Sequence, residues 1–161
     1  MKAGAFIVLE GGEGSGKSTL AANLGERLRE TGAAVHLLRE PGGTVAGEQL
    51  RRVLHERLIP WAEAFAFLAA RAQLVSEVIH PALEGGATVI CDRFSASTFA
   101  YQGFGRGLDL DTLRIADRAA TDGLEPDLTL YLDIEPATGL ARKGNEVEGV
   151  ATGFETIEFH Q

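Results

Sequence analysis

The sequence is poor in several features that point to particular classes of protein. It contains one cysteine, Cys91, in 161 residues, which excludes an internal disulfide and leaves no cysteine framework for a metal site. We interpret Cys91 as a small core residue. Uninterrupted apolar runs fall short of the ~18 residues that a membrane-spanning helix needs, so no membrane association is expected. The apolar part of the N-terminus is too short for a secretory signal, and we therefore expect a cytoplasmic location.

Positive charge is also scarce, with 15 lysine and arginine residues against 23 acidic residues and a net charge of −8. Such a chain lacks the phosphate-neutralising capacity of a general nucleic-acid binder, so no nucleic-acid partner is expected. An anionic ligand must instead meet local positive groups. The length of 161 residues and the hydrophobic content of 45% suit a single globular domain over residues 1–161.

Apolar strand patterns alternate with helical patterns along the chain. Strands are predicted at residues 6–9, 34–38, 87–92 and 128–133. Helices are predicted at residues 18–30, 47–56, 61–83 and 111–121, with a break near Pro81 in the third. Apolar strands joined by helices predict an α/β fold with a mainly parallel sheet covered on both faces. Such sheets bind ligands beyond the carboxyl ends of their strands.

A glycine-rich loop lies at the first of these ends. Residues 11–18 read GGEGSGKS and fit the pattern G-x-x-x-x-G-K-[ST] between a predicted strand and a predicted helix. Glycines let backbone N–H groups wrap an anion, and the following helix adds its positive dipole end. The predicted nucleotide-phosphate site comprises Gly11, Gly12, Glu13, Gly14, Ser15, Gly16, Lys17, Ser18 and Thr19. Lys17 would reach the β- and γ-phosphates of ATP, and Ser18 would bind the accompanying Mg²⁺. A glycine-rich turn without a ligand is the alternative.

The loop alone does not distinguish GTPases, motor ATPases and small-molecule kinases. Four further segments distinguish between these classes. They read LLREPGGT, AFAFLAARAQLV, VICDRFSASTFAYQGFGRGL and PDLTLYLDIEPATGLAR, in that order. Together with the loop, they make residues 6–142 resemble the bacterial thymidylate kinases. The resemblance implies a P-loop NTPase fold of three α/β/α layers and a homodimer. It also implies transfer of the γ-phosphoryl group of ATP to the small-molecule substrate dTMP, with Mg²⁺.

The resemblance implies roles for individual residues as well. Arg93 would bind the phosphate of dTMP, since a guanidinium fork suits phosphate oxygens, and Asp92 would support Mg²⁺. An ion pair between these two residues is the alternative for Arg93, and a structural acid is the alternative for Asp92. Phe67 would stack on thymine and Arg71 would donate a hydrogen bond to the base. These two residues are four apart on a predicted helix and can face one pocket, although a plain core helix is the alternative.

Other positions carry implied contacts with the acceptor. Thr98 would contact the base, Gln102 would lie near the sugar-phosphate, and Tyr101 would crowd the 2′ position in favour of deoxyribose. Each of these could instead be an exposed polar helix residue. Arg39, just before the segment EPGG, would lie on the phosphate side of the acceptor. Glu13 would accept a hydrogen bond from the 3′-hydroxyl, because an acid inside a phosphate loop needs such a partner.

The C-terminal part departs from the bacterial relatives. They carry several arginines and an Asp-Arg-hydrophobic-Glu motif in a mobile lid, whereas here a lid segment at about 142–153 keeps only Arg142 and Lys143 as cations. The predicted catalytic set is therefore Lys17, Arg93, Glu13 and Arg142. By comparison with relatives, the C-terminal part is also short. Two alternatives to a thymidylate kinase remain. One is a truncated or non-catalytic nucleotide-binding protein of the same fold, and the other is a kinase for another small acceptor.

Overall fold

The computed structural model describes residues 4–144, with side chains as far as Arg142. Its sheet contains four strands, β1 to β4, which span Ala5–Gly11, Val35–Arg39, Thr88–Asp92 and Leu128–Leu132. All the pairings are parallel, and the order across the sheet is β2-β3-β1-β4. The parallel sheet predicted from the apolar strand patterns is therefore confirmed.

Seven α-helices lie among the described residues. Named α1 to α7, they span Lys17–Glu30, Val45–Val53, Pro60–Leu74, His80–Glu84, Ser95–Thr98, Leu110–Ala120 and Pro136–Gly144. Two π-helical turns, Val75–Ile79 and Phe99–Gly105, continue α3 and α5. The sequence patterns identified the helices corresponding to α1, α2, α3 with α4, and α6, but assigned no bounds to α5 and α7.

Two predicted helix boundaries were wrong. The helix predicted over 47–56 begins earlier because the hydroxyl of Thr44 accepts a hydrogen bond from the Gly47 N–H at 2.9 Å and caps α2. The break predicted at Pro81 is replaced by a π-helical turn one turn earlier, where the His80 N–H donates to the Val75 carbonyl. A π-turn is wider than an α-turn, and the helical path then continues through the proline.

The core lies on both faces of the sheet. On one face, Phe6 and Val89 pack against Leu74 and Ile79, which belong to α3 and the π-helical turn after it. Phe94 completes this cluster with its ring edge-to-face on Phe6, at a centroid distance of 5.0 Å. Helix α3 and the π-helical turn after it therefore pack in one cluster with Phe94, the residue that follows Arg93.

The opposite face of the sheet is covered by α1. Leu9 and Ile90 from the two central strands pack against Ala21, Leu24 and Leu28 of this helix. The predicted three-layer α/β/α architecture is confirmed by these two packed faces. No helix among residues 4–144 is both long and apolar enough to cross a membrane.

Strand register brings the predicted site residues to one edge. Leu9 of β1 and Arg39 of β2 both lie opposite Asp92 of β3, and Gly11 lies opposite Leu132 of β4. The carboxyl ends of all four strands therefore meet where β1 leads into the glycine-rich loop. This edge is where a doubly covered parallel sheet offers a crevice for a ligand.

Candidate active site

The glycine-rich loop connects β1 to α1 at this edge and depends on glycine at particular positions. Gly14 has a φ of 67°, and a Cβ atom there would lie 2.0 Å from the Gly139 carbonyl oxygen of α7. Gly16 has a φ of 92° directly before α1. A side chain at Gly14 would clash and would also favour another backbone conformation. The loop therefore takes a shape in which the first turn of α1 and the backbone of α7 stand close to it.

Lys17 lies inside the loop and is 7% exposed. Its ammonium donates hydrogen bonds to the carbonyls of Gly11 at 3.0 Å and Gly12 at 2.8 Å. Burial lowers the pKa of Lys17 below its ordinary value, and the neighbouring charge of Arg93 lowers it further, while nearby carboxylates oppose the shift. The ammonium group is thus desolvated and held by weak neutral acceptors, which an anionic ligand can replace with stronger ones.

Ser18 and Asp92 join the loop to the end of β3. The Ser18 hydroxyl donates to Asp92 Oδ2 at 2.6 Å. The other oxygen, Asp92 Oδ1, is buried and has no hydrogen-bond partner within residues 4–144. An unpartnered buried carboxylate oxygen beside a serine hydroxyl fits a Mg²⁺ ion, which takes oxygen ligands and often uses only one or two from the protein. No group of three or more His, Cys, Asp or Glu side chains in the described chain could hold a metal by itself.

Arg93 occupies the centre of the edge with a left-handed backbone conformation, φ 72°. Its Nη2 donates to Glu13 Oε1 at 2.7 Å, and its Nη1 donates to the Tyr101 hydroxyl at 3.1 Å and the Gly11 carbonyl at 3.3 Å. A left-handed conformation costs a residue with a Cβ about 1–2 kcal/mol. Because one hydrogen bond to a charged group contributes about 1.5–3 kcal/mol, these contacts are sufficient to offset that strain.

A cavity of about 240 Å³ opens beside Arg93. Its walls come from the loop, from α2 and α3, and from the segment that contains α5 and the π-helical turn after it. The lining residues are Glu13, Glu40, Pro41, Arg51, Leu54, His55, Phe67, Arg71, Arg93, Ser97, Thr98, Tyr101 and Gln102. The mixture of one aromatic wall and several charged or polar groups suits a planar polar molecule that carries an anionic group.

Arg71 forms the floor of this cavity and is 2% exposed. Its Nε and Nη2 donate to Glu40 Oε2 at 2.8 and 2.6 Å, and its Nη1 donates to Asp117 Oδ1 at 2.5 Å. The guanidinium also lies over the Phe94 ring, 5.1 Å from its centroid. The two carboxylates raise the pKa of Arg71 despite its burial. Arg71 is therefore a permanently charged and rigidly held donor.

Glu40 links this floor to the loop after β2, and its peptide bond to Pro41 is cis. Burial raises the pKa of the Glu40 carboxyl above its ordinary value, although the charge of Arg71 opposes the shift. Glu40 Oε1 is buried without a hydrogen-bond partner among the residues described. This carboxylate oxygen is therefore an unsatisfied hydrogen-bond acceptor at the boundary of the cavity.

Two polar side chains of the cavity wall, Gln102 and Thr98, differ in whether a protein group already forms a hydrogen bond with them. The Gln102 side-chain amide donates to Glu63 Oε1 at 2.8 Å, and Glu63 also pairs with Arg106 at 3.1 Å. Gln102 is thus held by protein groups. Thr98 Oγ1, by contrast, is buried with no partner in the described part of the chain, so its hydroxyl remains available to a ligand.

A second cleft of about 760 Å³ lies on the other side of Arg93, over the glycine-rich loop. Besides loop residues and Asp92, it is lined by Arg39, Arg51 and Arg142. Arg142 of α7 donates to the Gly14 carbonyl at 3.4 Å, and Arg51 of α2 donates to the Pro41 carbonyl at 3.3 Å. Positive side chains therefore surround the loop in a protein whose net charge is −8.

The sequence matches known proteins along nearly its whole length. A family model described as thymidylate kinase matches residues 9–161. The chain belongs to the thymidylate kinase family. It is 56% identical over 142 residues to a thymidylate kinase of Roseiflexus sp. (strain RS-1), covering 86% of this chain and 63% of that protein. It is 51% identical over 164 residues to a thymidylate kinase of Deinococcus radiodurans, covering 100% of this chain and 80% of that protein.

A solved thymidylate kinase shares the fold. The crystal structure of the enzyme from Ehrlichia chaffeensis matches with a TM-score of 0.79 and 37% sequence identity, over 87% of this chain and 76% of that one. The chain thus spans less than two thirds of the Roseiflexus thymidylate kinase and a larger share of the other two. Of the predicted lid at about 142–153, the first three residues belong to the end of α7, and the part after Gly144 lies outside the described residues.

The structure brings together most residues that the resemblance to thymidylate kinases singled out. Phe67, Arg71, Thr98, Tyr101 and Gln102 line the cavity with Arg93. The loop residues Lys17, Ser18 and Thr19 line the cleft with Arg39, Asp92 and Arg142. Arg93 pairs with Glu13 at 2.7 Å, rather than with Asp92 as the alternative had it.

Sequence reasoning missed several members of this candidate site. Arg51 lines both openings, and Glu40, Asp117 and Glu63 fix the side chains of the cavity. The helical residues Arg51, Asp117 and Glu63 gave no local signal, since a charged residue on an amphipathic helix is ordinarily a solvated one, and Glu40 was noted only as part of the loop segment EPGG. Glu10 was missed as well, although an acid inside an apolar strand is a signal that could have found it.

Proposed function

We propose that this chain is a kinase that transfers the γ-phosphoryl group of ATP to dTMP, giving dTDP and ADP. The observation that carries the proposal is the shared wall of the two openings, which consists of Glu13, Glu40, Arg51 and Arg93. A nucleoside monophosphate in the cavity and a triphosphate over the loop would meet at these residues. Phosphoryl transfer needs this alignment more than it needs covalent chemistry from the protein.

The cavity offers contacts for a thymine base. Phe67 supplies a flat apolar wall. Among the described residues, Arg71 uses three of its N–H groups in the bonds to its two carboxylates, so others remain for a base carbonyl. The unpartnered Thr98 hydroxyl adds a further polar contact. Tyr101 and Gln102 line the same wall, where the sugar and its phosphate would lie.

Arg93 would bind the acceptor phosphate at the junction. Its guanidinium is planar and already aligned by Glu13 and Tyr101, and a guanidinium binds phosphate oxygens in a bidentate manner. Glu13 would then accept a hydrogen bond from the 3′-hydroxyl of the sugar. The pair therefore orients one oxygen of the acceptor phosphate towards the phosphoryl donor.

The donor side would be held by the loop. Backbone N–H groups of residues 14–19 and the start of α1 would bind the ATP phosphates, and the Lys17 ammonium would exchange the carbonyls of Gly11 and Gly12 for β- and γ-oxygens. Arg142 would add positive charge from α7, and Arg39, which lines the same cleft, would lie on the phosphate side of the acceptor. An acceptor-phosphate oxygen attacks the γ-phosphorus, the bond to the β,γ-bridging oxygen breaks, and ADP leaves.

Ser18 and Asp92 are the residues that would hold Mg²⁺. The free lone pairs of Asp92 Oδ1 are the observation that supports this assignment. When bound, Mg²⁺ supplies charge neutralisation to the donor phosphates. The short hydrogen bond between Ser18 and Asp92 keeps both oxygens at the strand end, ready to face the ion.

A homodimer in the cytoplasm, where ATP is available, is part of the proposal. Large apolar side chains are exposed on the contacting helices α3 and α6, with Phe65 at 57% and Ile115 at 73% exposure. A partner subunit would remove them from water. Sedimentation velocity of the chain tests this: a dimer supports the proposal and a monomer at micromolar concentration contradicts it.

The activity is tested by ADP formation from Mg-ATP with dTMP, dUMP, the ribose form of TMP, dGMP and dCMP as acceptors. We expect turnover selective for dTMP. Turnover that prefers another acceptor would favour a different small-molecule kinase, and ATP binding without turnover would favour a binding-only protein. The intact mass of the chain is measured first, so that the length of the protein assayed is known.

A further inference from the structure

A buried acid stands directly before the glycine-rich loop. Glu10 is the sixth residue of β1, is 5% exposed, and follows the buried core residues Val8 and Leu9. A buried carboxylate is costly unless hydrogen-bond donors satisfy it. Glu10 therefore requires a set of donors, and the identity of those donors indicates its role.

Within residues 4–144, the donors to Glu10 come from the four residues that follow Arg93. Oε1 accepts from the Phe94 N–H at 2.9 Å and from the Ser97 N–H at 3.2 Å, and Oε2 accepts from the Ser97 hydroxyl at 2.6 Å. The Arg93 N–H itself donates to the Leu9 carbonyl at 2.9 Å. Two consecutive residues of β1 thus hold the left-handed turn that carries Arg93.

Ser97 also connects Glu10 to the guanidinium. Its hydroxyl has one proton, which it donates to Glu10, and its oxygen accepts from Arg93 Nη1 at 3.3 Å. A carboxylate only accepts and a guanidinium only donates, so the direction of both hydrogen bonds is fixed. Glu10 therefore keeps the Ser97 lone pairs turned towards Arg93.

We propose that Glu10 is a positioning residue that sets the orientation of the Arg93 guanidinium towards the acceptor phosphate, acting through Ser97 and the Phe94 backbone. The inference rests on the proposed function, because it assigns the acceptor phosphate to Arg93. Glu10 does not line the cavity or the cleft and so touches neither substrate. Its effect is confined to the phosphate end of the acceptor.

The test compares dTMP with thymidine, which has the same base and sugar but no phosphate. Dissociation constants of both are measured by titration calorimetry for the wild type and for Glu10→Gln. We expect dTMP binding to weaken about tenfold and thymidine binding to change less than about twofold. With Mg-ATP, the KM for dTMP should rise and kcat should fall, while the KM for ATP stays within about twofold.

Glu84→Gln is the matched control, since Glu84 ends α4 and is exposed at the opposite edge of the sheet. It should leave all these constants unchanged. Equal weakening of dTMP and thymidine in Glu10→Gln would overturn the proposal, because it would mean a general distortion of the cavity. An unchanged preference for dTMP over thymidine would overturn it too.

A second variant covers the case in which Glu10→Gln does not fold. Ser97→Ala keeps Glu10 and its backbone donors but removes the link to the guanidinium. Because Ser97 also lines the cavity, this variant should weaken dTMP binding about threefold and thymidine binding by a smaller factor, and an unchanged dTMP constant would overturn the proposal. If the wild-type chain itself shows no preference for dTMP over thymidine and no turnover, the proposed function fails instead, and the two failures are distinguishable.

Discussion

The acceptor cavity and the phosphate-loop cleft meet at Arg93, yet their positive side chains are held differently. Arg71 in the cavity is buried and bonded to two carboxylates before any ligand arrives. Arg142 in the cleft is exposed and makes a 3.4 Å hydrogen bond to the loop, and the exposed Arg39 makes no side-chain hydrogen bond or ion pair within residues 4–144. A fixed donor discriminates between flat bases, whereas mobile cations can follow phosphates that change position during transfer.

The largest expected effect comes from the residue at the centre of the cleft. Lys17→Ala should lower kcat by at least about 10³-fold, because it removes the ammonium that would neutralise the donor phosphates. The fold should persist, which circular dichroism and a thermal melt would show. Full phosphoryl transfer by this variant would contradict the proposed role of the glycine-rich loop.

In the cavity, Arg71→Gln should affect binding and stability together. The KM for dTMP should rise about 100-fold, since a fixed donor to the base is lost. The free energy of unfolding should fall by about 3–5 kcal/mol, because Glu40 and Asp117 stay buried without their partner. Steady-state kinetics and urea unfolding measure the two effects. Unchanged acceptor affinity would count against the thymine pocket.

The stability loss of Arg71→Gln should depend on pH. Burial already raises the pKa of Glu40, and without Arg71 nothing of that strength opposes the shift. The folded state then binds a proton more tightly than the unfolded state, so stability is highest at acidic pH and falls as pH rises through the raised pKa. Urea unfolding at pH 5 and pH 8 should show the smaller loss at pH 5. Adding Glu40→Gln should reduce this difference, and adding Asp117→Asn as well should abolish it.

Arg142→Ala should affect the cleft alone. We expect kcat to fall about tenfold and the free energy of unfolding to change by less than about 0.5 kcal/mol, because the side chain is exposed and weakly bonded. The KM for dTMP should stay unchanged. A clear loss of stability in this variant would contradict the distinction between the tightly bonded Arg71 and the weakly bonded Arg142.

The smallest effect is expected at the junction. Tyr101→Phe removes the 3.1 Å hydrogen bond to Arg93 but retains the ring over which the guanidinium lies, 5.2 Å from its centroid. The KM for dTMP should rise about threefold, while the preference for dTMP over its ribose form persists because the ring is unchanged. A lost preference in the kinetic comparison would assign sugar selection to the hydroxyl instead.

The parts of the site that the sequence predicted are those encoded by contiguous residues. The loop, the strand before it and the helix after it form one local unit, and Phe67 and Arg71 lie one helical turn apart. The loop was predicted from its own motif and context, whereas the roles of Phe67 and Arg71 came from the resemblance to thymidylate kinases, and their helical spacing only allowed both to face one pocket. The turn at Arg93 was also flagged, through its position after a predicted strand.

The remaining parts depend on contacts between distant segments. Arg71 bonds to Glu40, 31 residues before it, and to Asp117, 46 residues after it. No pattern around either acid distinguishes it from a solvated one, because the burial that defines its role exists only in the folded chain. The same reason explains why Arg51 escaped attention, whereas the start of α2 could have been set by the capping hydroxyl of Thr44.

The strand order carries a consequence for the protein during its synthesis. The strand Ala5–Gly11 pairs with β3 and β4 but not with β2, and its first partner ends at Asp92. While the ribosome is still making the intervening segment, this apolar strand has no sheet neighbour to cover it. The nascent chain thus exposes an aggregation-prone edge until β3 emerges, and nucleotide cannot protect it, since the Ser18–Asp92 pair does not yet exist.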